Sequence, residues 1–430
     1  MKRTLLAASL APTLGTVALT SLLAIGALWA GQDVAVANAG TEEPGKDIGG
    51  KVVLLQLAVP AGDETGDVVR RDAELSAGFK VIDRKGIPAA LIKEAGFDAA
   101  KWKELGAQAV IKNASVGGQI KFQLYDLSKG NKPVLSLGFP GSDQRKAAHK
   151  FMNEVIKYYT GTPGVFGSRI AFVRTRRSPE VSKNVFTMEM DGGNVAGVTN
   201  NRSLNILPSI GPGGQVLFTS YAKRNPDLWM SSGGEPTRVS KQPGLNLGGV
   251  MNPQGGSIAL TLSKDGNSEI YLVDAGGGVK SRLTNNGAID GSPSWSPAGN
   301  QLAFVSNRAG GPQIFRMTSA GGGAARISKK GDYNQTPDWS PGEGDLASWV
   351  AYAGRDGSNF DVFAVNVKSG QLKRLTQGGG RATDPTWAPD GRLIAFSSSR
   401  GGIVVANEDG NNQITVMKAG TTPDWGPRAL

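Results

Sequence analysis

One short motif, written four times, limits what this chain can fold into more than any other feature. It reads Pro293-Ser294-Trp295-Ser296-Pro297, Pro337-Asp338-Trp339-Ser340-Pro341, Pro385-Thr386-Trp387-Ala388-Pro389 and Pro423-Asp424-Trp425-Gly426-Pro427. Two degenerate copies precede these, Pro208 to Pro212 with Ile210 in the tryptophan slot and Gly249 to Pro253 with Met251 there. The second prolines fall at 212, 253, 297, 341, 389 and 427, at intervals of 41, 44, 44, 48 and 38 residues. Such a period suits a four-stranded propeller blade. After each motif comes a turn such as Pro389-Asp390-Gly391, then an alternating strand such as Leu302 to Ser306 or Ile394 to Ser397. A glycine-bearing turn leads to a third strand, Gln313 to Met317 or Asp361 to Val365, and another to a short fourth, Arg326-Ile327-Ser328 or Arg374-Leu375-Thr376. Such a sheet is apolar on both faces, so it needs neighbours stacked around an axis.

Five units start at the motifs near 208, 249, 293, 337 and 385. The piece from Arg169 to Thr199 has the second, third and fourth strands but no motif before it, while the motif at 423 to 427 has only three residues after it. Together the two fragments make a sixth blade. The C-terminus is therefore expected to supply the strand the first blade lacks, closing the ring without a free edge.

The 61 glycines in 430 residues, about twice the usual frequency, mean many turns in a folded chain. Cysteine is absent and histidine occurs once, as His149, which excludes a Cys/His zinc site, a thiol nucleophile and any apparatus needing two histidines. No cofactor and no metal are expected. The net charge of +11 favours acidic partners or surfaces and does not by itself point to nucleic acid, which is not expected as a partner.

Residues 1–39 read as an export signal. Lys2 and Arg3 precede the uncharged run Thr4 to Ala30, and Ala35-Val36-Ala37 or Ala37-Asn38-Ala39 offers small residues at a peptidase site. The run is long enough to span a bilayer, so an uncleaved inner-membrane anchor is the alternative. Either way the folded part faces away from the cytoplasm.

Between the signal and the propeller (168–430), residues 45–163 mix helical and strand patterns, as expected of a small α/β domain. Val52 to Val59 reads as a continuous apolar strand, and Ile120, Phe122 and Leu124 alternate as in a half-buried one. Asp98 to Leu105 reads as a short helix. Ser142 is placed to cap a longer helix whose Phe151, Met152, Val155, Ile156 and Tyr159 share a face, with Gly161 to stop it. His149 lies on that helix, where a solvated or packing role is expected because no partner for it is visible. The fold class is thus a mixed α/β domain followed by a six-bladed propeller.

With strands alternating in direction, the loop before each motif and the loop between strands two and three must emerge on the same side. The first set is a largely polar ring: Asn205 and Ile206, Asn246 and Leu247, Asp290 and Gly291, Asn334, Gln335 and Thr336, Thr383 and Asp384, Thr421 and Thr422. The second carries Arg176 and Arg177, Lys223 and Arg224, Lys264, Arg308, Arg355 and Arg400, a cation from every blade. A cationic ring in register points to a partner-binding face.

The order of these parts resembles the TolB family, the periplasmic component of the Tol-Pal envelope system. The repeated motifs, the terminal Pro423 to Pro427, the junction Tyr159 to Val173 and the passage Trp102 to Ile111 carry the resemblance. It implies a monomeric, non-enzymatic scaffold in the periplasm that docks the peptidoglycan-associated lipoprotein Pal on the propeller face formed by the loops before each motif. It also implies support of outer-membrane integrity and constriction during division. In the family a segment ahead of the first strand binds TolA. The resemblance thus implies a TolA-like inner-membrane protein as a second partner, and Gly40 to Asp47 departs from the family pattern there, being too short and too rich in proline and glycine for a convincing β-strand. The motif proline is also missing at Leu245 to Gly249.

Two other classes remain to be weighed. Similar repeats build the propeller half of prolyl-oligopeptidase-like peptidases, but no Gly-x-Ser-x-Gly elbow is present for the hydrolase half. A propeller that binds carbohydrate or a hard cation is the other alternative, with Asp290, Asp338, Asp384 and Asp424 beside the inner strands; aspartates at strand ends are common in turns without any ligand.

Overall fold

The structure, a computed structural model, describes residues 55–428 apart from 77, 95 and 179. The expected export signal, the segment Gly40 to Asp47 and the first residues of the strand expected at Val52 to Val59 lie outside the described residues. Among the described residues no helix is long and apolar enough to cross a membrane.

The N-terminal domain is built on a five-stranded sheet of β1 (Leu55–Ala58), β2 (Phe79–Val81), β3 (Ala109–Val116), β4 (Gln119–Asp126) and β5 (Leu135–Pro140), in the order β2-β1-β3-β4-β5. The first three run parallel and the last two antiparallel. Helices α1 (Glu64–Leu75) and α4 (Gln144–Thr160) cover one face, while α2 (Ala89–Ile92) and α3 (Ala99–Glu104) cover the other. Ile120, Phe122 and Leu124 alternate inward as the pattern requires. Helix α3 sits where expected, its first turn capped by Asp98, which accepts from the Ala100 amide. The cap of α4 differs from expectation. Asp143, not Ser142, accepts from the Lys146 amide at 2.9 Å, and its carboxylate also meets the positive end of the helix. Gly161 ends the helix with φ +80°.

Six four-stranded sheets follow. Blade 1 combines Arg169–Arg176, Ser182–Glu189 and Ala196–Gly197 with the C-terminal strand Thr421–Trp425. The inner strands of blades 2 to 6 are Asn205–Ile210, Asn246–Met251, Asp290–Trp295, Tyr333–Trp339 and Ala382–Trp387. Closure occurs as the split motif requires: Thr421 pairs with Val173, Asp424 with Ala171 and Trp425 with Ile170. The Trp425 indole N–H also donates to Ser168 Oγ at 2.8 Å.

The motif works at the joints between blades. Trp295, Trp339, Trp387 and Trp425 are buried, on the order of 4–6 kcal/mol of transfer free energy each. The residue before each tryptophan reaches into the next blade. Ser294 Oγ accepts from the Trp339 amide (2.9 Å), Asp338 from Trp387 (2.7 Å), Thr386 from Trp425 (2.9 Å) and Asp424 from Ile210 (2.6 Å). Blades 2 and 3 hold their neighbours by hydroxyls on the second strand instead. Thr219 accepts from the Gly248 amide and Thr261 from Ser292, both at 3.2 Å. Every joint in the ring therefore carries a side-chain clamp on a buried or half-buried backbone amide.

The N-terminal domain packs on the side of the ring that carries the turns after strands one and three. One continuous core joins Phe151, Met152 and Val155 of α4 to Ile170, Met188, Leu393 and Trp425 of blades 1 and 6. Asn412 Nδ2 donates to the Glu74 carbonyl at 2.9 Å across the same boundary. Among the described residues the contacts of the domain lie on this side, and none reaches the opposite side of the ring, called the mouth below.

Candidate partner-binding face

Register fixes which residues meet at the mouth. Asn205 lies opposite Ser220, Asn246 opposite Leu262, Asp290 opposite Ser306, Asn334 opposite Gly354 and Ala382 opposite Ser398. The two expected sets of loops thus share one face. The residues ahead of each motif belong to the inner strands themselves and not to loops. Each strand bulges at the residue three before the tryptophan slot, which takes a left-handed conformation in all six blades: Leu207, Gly248, Ser292, Thr336, Asp384 and Thr422, with φ between +49° and +61°. Five of these six are not glycine, a strain of order 1 kcal/mol each that the joint clamps hold in place.

Burial divides the expected ring. Asn205, Asn246, Asp290 and Asn334 have no exposed surface, so their side chains do not form the contact surface expected of them. They close the adjoining loops instead. Asn205 accepts from Ser220 Oγ and donates to Asn201; Asn246 accepts from the Gln242 amide and from Ser240; Asn334 donates to Gln313. Asp290 accepts from Asn286 and Arg308. A buried polar side chain needs such partners, and these loops supply them. Ile206, Leu247, Gly291, Gln335, Thr336, Thr383, Asp384 and Thr422 are half-buried, and Thr421 is exposed. They line the mouth.

The cations also divide. Arg308 pairs with buried Asp290 at 2.6 Å and lies over the rings of Phe304 and Phe315, so it packs its own blade. Arg355 pairs with Asp332 at 2.9 Å, lowering that carboxyl's pKa, and Lys264 pairs with Asp265. Arg176, Arg177, Lys223, Arg224 and Arg400 are exposed. A cation from each blade does not mean free charge from each blade, because three of the six meet an acid of the same blade.

Deeper in the ring, burial raises the Asp424 carboxyl to about 7, with the Asp338 charge adding to the effect, and raises Asp338 to about 6. Burial raises Asp384 as well. Asp290, Asp338, Asp384 and Asp424 do not converge as a ligand set among the described residues. The one group with metal-ligand geometry among them is Asp72, His149 and Asp191, whose ligand atoms lie within 4.8 Å of one another.

That group corrects the expectation for His149. The imidazole is 2% exposed, with Nδ1 2.8 Å from Asp72 of α1 and Nε2 3.2 Å from Glu189 of blade 1. Arg145 completes the cluster, bridging Glu189 at 2.8 Å and Asp191 at 2.6 Å, in the position a cation would take between these acids. Burial works against the imidazolium, but the charge and hydrogen bond of Asp72, with Glu189, raise His149 to about 10. Burial would raise Glu189, yet the bonds from His149, Arg145 and Asn194 bring it to about 2. Both ring nitrogens are engaged by carboxylates, so the cluster ties the two domains and presents no catalytic base.

Residues 156–428 match the family model described as the TolB beta propeller domain, and residues 52–132 match the TolB amino-terminal domain. The chain belongs to the TolB family. Relatives include the Tol-Pal system protein TolB of Anaeromyxobacter sp. (strain K), 38% identical over 231 residues that cover 50% of this chain and 52% of that protein. The protein of the same description from Desulfosudis oleivorans is 37% identical over 239 residues, covering 51% and 52%. The chain spans about half the length of the curated relatives it matches. The crystal structure of TolB from Acinetobacter baumannii has the same two-part architecture, with a TM-score of 0.75 at 25% identity over 87% of this chain and 97% of that one. Family membership agrees with the resemblance drawn from the motifs and junction.

Proposed function

We propose that this TolB-family chain is a non-enzymatic component of the Tol-Pal system, located in the periplasm, whose propeller mouth docks a Pal-type lipoprotein and so supports outer-membrane integrity and constriction. The observation that carries the reading is the mouth itself: it faces away from the N-terminal domain, bulges in every blade and presents exposed cations at blades 1, 2 and 6. Relatives named as Tol-Pal system proteins support it. The missing nucleophile elbow and the engagement of the lone histidine speak for a binding role over a peptidase one. Absorption of Asp338 and Asp424 into blade joints leaves the channel little to offer a hard cation.

The test is capture from envelope extract of the source cells with the tagged full chain, followed by mass spectrometry. A Pal-type lipoprotein is the expected leading species. Its absence at low and at moderate salt would count against docking.

A further inference from the structure

Chemistry is spread unevenly around the mouth. Three positions per blade reach its surface, six, four and three residues before the tryptophan slot. In blade 2 they hold Leu204, Ile206 and Leu207; in blade 3, Leu245, Leu247 and Gly248. Blades 4 and 5 keep one apolar side chain each, Ile289 and Tyr333, and blade 6 has none: Arg381, Thr383 and Asp384. Leu204 is 36% exposed and the other leucines and Ile206 are half-buried, so each keeps part of its apolar surface open at the mouth. It is continuous across the joint, since the position a Cβ would take on Gly248 lies 3.7 Å from Leu207 Cδ1.

Charge concentrates at the same place. The three mouth segments of blade 2, residues 199–204, 221–225 and 241–245, carry Arg202, Lys223, Arg224 and Lys241 and contain no aspartate or glutamate. None of the four has an acidic partner among the described residues. In blade 5 the corresponding charges satisfy each other, Arg355 with Asp332 and Lys330 with Asp356.

Building on the docking reading above, we propose that the partner sits off-centre over blades 2 and 3: an acidic polypeptide segment seats an aliphatic or aromatic side chain against the leucines and Ile206 and brings carboxylates to the four cations. An apolar centre with a charged rim is the anatomy of a protein interface, and the four cations without an acidic partner call for carboxylates opposite them.

The test titrates the full chain with the soluble domain of a Pal-type lipoprotein from the same cells, at low and moderate salt, with melting curves to confirm folding. The R202E/K223E/R224E/K241E variant is expected to lose about ten-fold or more in affinity and most of its salt dependence. Leu204→Ser with Leu247→Ser is expected to lose a similar factor at both salt concentrations. Arg400→Glu with Thr421→Ala, on the far side of the mouth, is expected to lose clearly less affinity than the blade 2 charge variant, and an equal loss would place the partner centrally and overturn the off-centre seat. If wild type does not bind, the docking reading falls and this seat with it. If wild type binds and the blade 2 charge variant, folded, binds equally well, the off-centre seat is wrong while docking stands. Binding to phosphatidylglycerol vesicles in place of the protein domain, lost in the same variants, would assign the patch to lipid and overturn the proposal.

Discussion

The two sides of the propeller use the same residue types for opposite ends. Where the N-terminal domain packs, Asp72, His149, Glu189, Arg145 and Asp191 form one alternating cluster in which each charge faces an opposite one. At the mouth of blade 2, Arg202, Lys223, Arg224 and Lys241 are exposed and meet no acid among the described residues. A charge buried with its partner fixes geometry, because separating it leaves an uncompensated ion in a poor solvent. A charge left open contributes little to folding and is available to a partner. Substitutions on the two sides should therefore fail in different assays: stability on one, binding on the other.

The hardest way to break this division is to remove the strand that runs from one side to the other. Deleting residues 421–430 takes away the inner strand of blade 1, the Trp425 contact with the domain core and the Asp424 clamp on blade 2. Trp425→Ala alone is expected to cost about 3–5 kcal/mol, and the deletion more, abolishing a single cooperative melt. A deletion variant with an unchanged calorimetric transition would contradict closure.

Next in size is the interdomain cluster. His149→Ala leaves Asp72 buried without its cation and should cost about 3–5 kcal/mol, read by denaturant unfolding, with partner affinity of the folded protein unchanged. The pH dependence has a defined sign. His149 is raised from 6.5 to about 10 on folding, so its contribution is complete below pH 6.5 and lost as pH rises through 10. Glu189 is lowered from 4.5 to about 2, so its contribution is present above pH 4.5 and lost as pH falls through 2. Wild type should thus lose melting temperature between pH 6.5 and 10, and the His149 variant should lose less over that window. Parallel pH profiles for the two would show that the cluster does not hold the domains.

A smaller contrast lies inside the mouth. Arg308→Ala strands buried Asp290 and should cost about 2–3 kcal/mol, whereas Arg400→Ala should stay within about 0.5 kcal/mol. Equal effects in chemical denaturation would mean that the pairing of Arg308 has no structural weight.

How far the sequence can be read follows the range of the interactions. Trp295, Trp339, Trp387 and Trp425 announce the blades because one local pattern repeats at one spacing, and the split ends announce closure. The clamp residues beside them stay hidden, since Ser294, Asp338 and Thr386 look like ordinary turn residues until the next blade lies against them. Asn205, Asn246 and Asn334 read as solvated loop residues on polarity alone, and only their place in a bulged strand buries them. His149 has no partner visible along the sequence because Asp72 is 77 residues away and Glu189 belongs to the other domain. Arg308 is within reach of sequence reasoning: placing Asp290 opposite Ser306 sets the arginine two residues further on beside the acid.

The smallest expected effect is also the most specific to the ring interior. Asp424 accepts the Ile210 amide with one oxygen, yet burial and the nearby Asp338 charge raise its pKa from 3.8 to about 7. A group raised on folding prefers its protonated form there, so for a carboxyl the folded state is favoured at low pH and loses ground as pH climbs from 3.8 through 7. The Asp424→Asn substitution keeps an acceptor for the Ile210 amide and removes the ionisable group. The variant should therefore melt a few degrees higher than wild type above pH 7, with the difference shrinking toward pH 4. A gain of the same size at both pH values would assign the effect to packing and leave the carboxyl without a role. A loss at pH 8 would mean that the ionised carboxylate, through its stronger bond to the amide, outweighs its own desolvation and holds the joint between blades 1 and 2 as a charge.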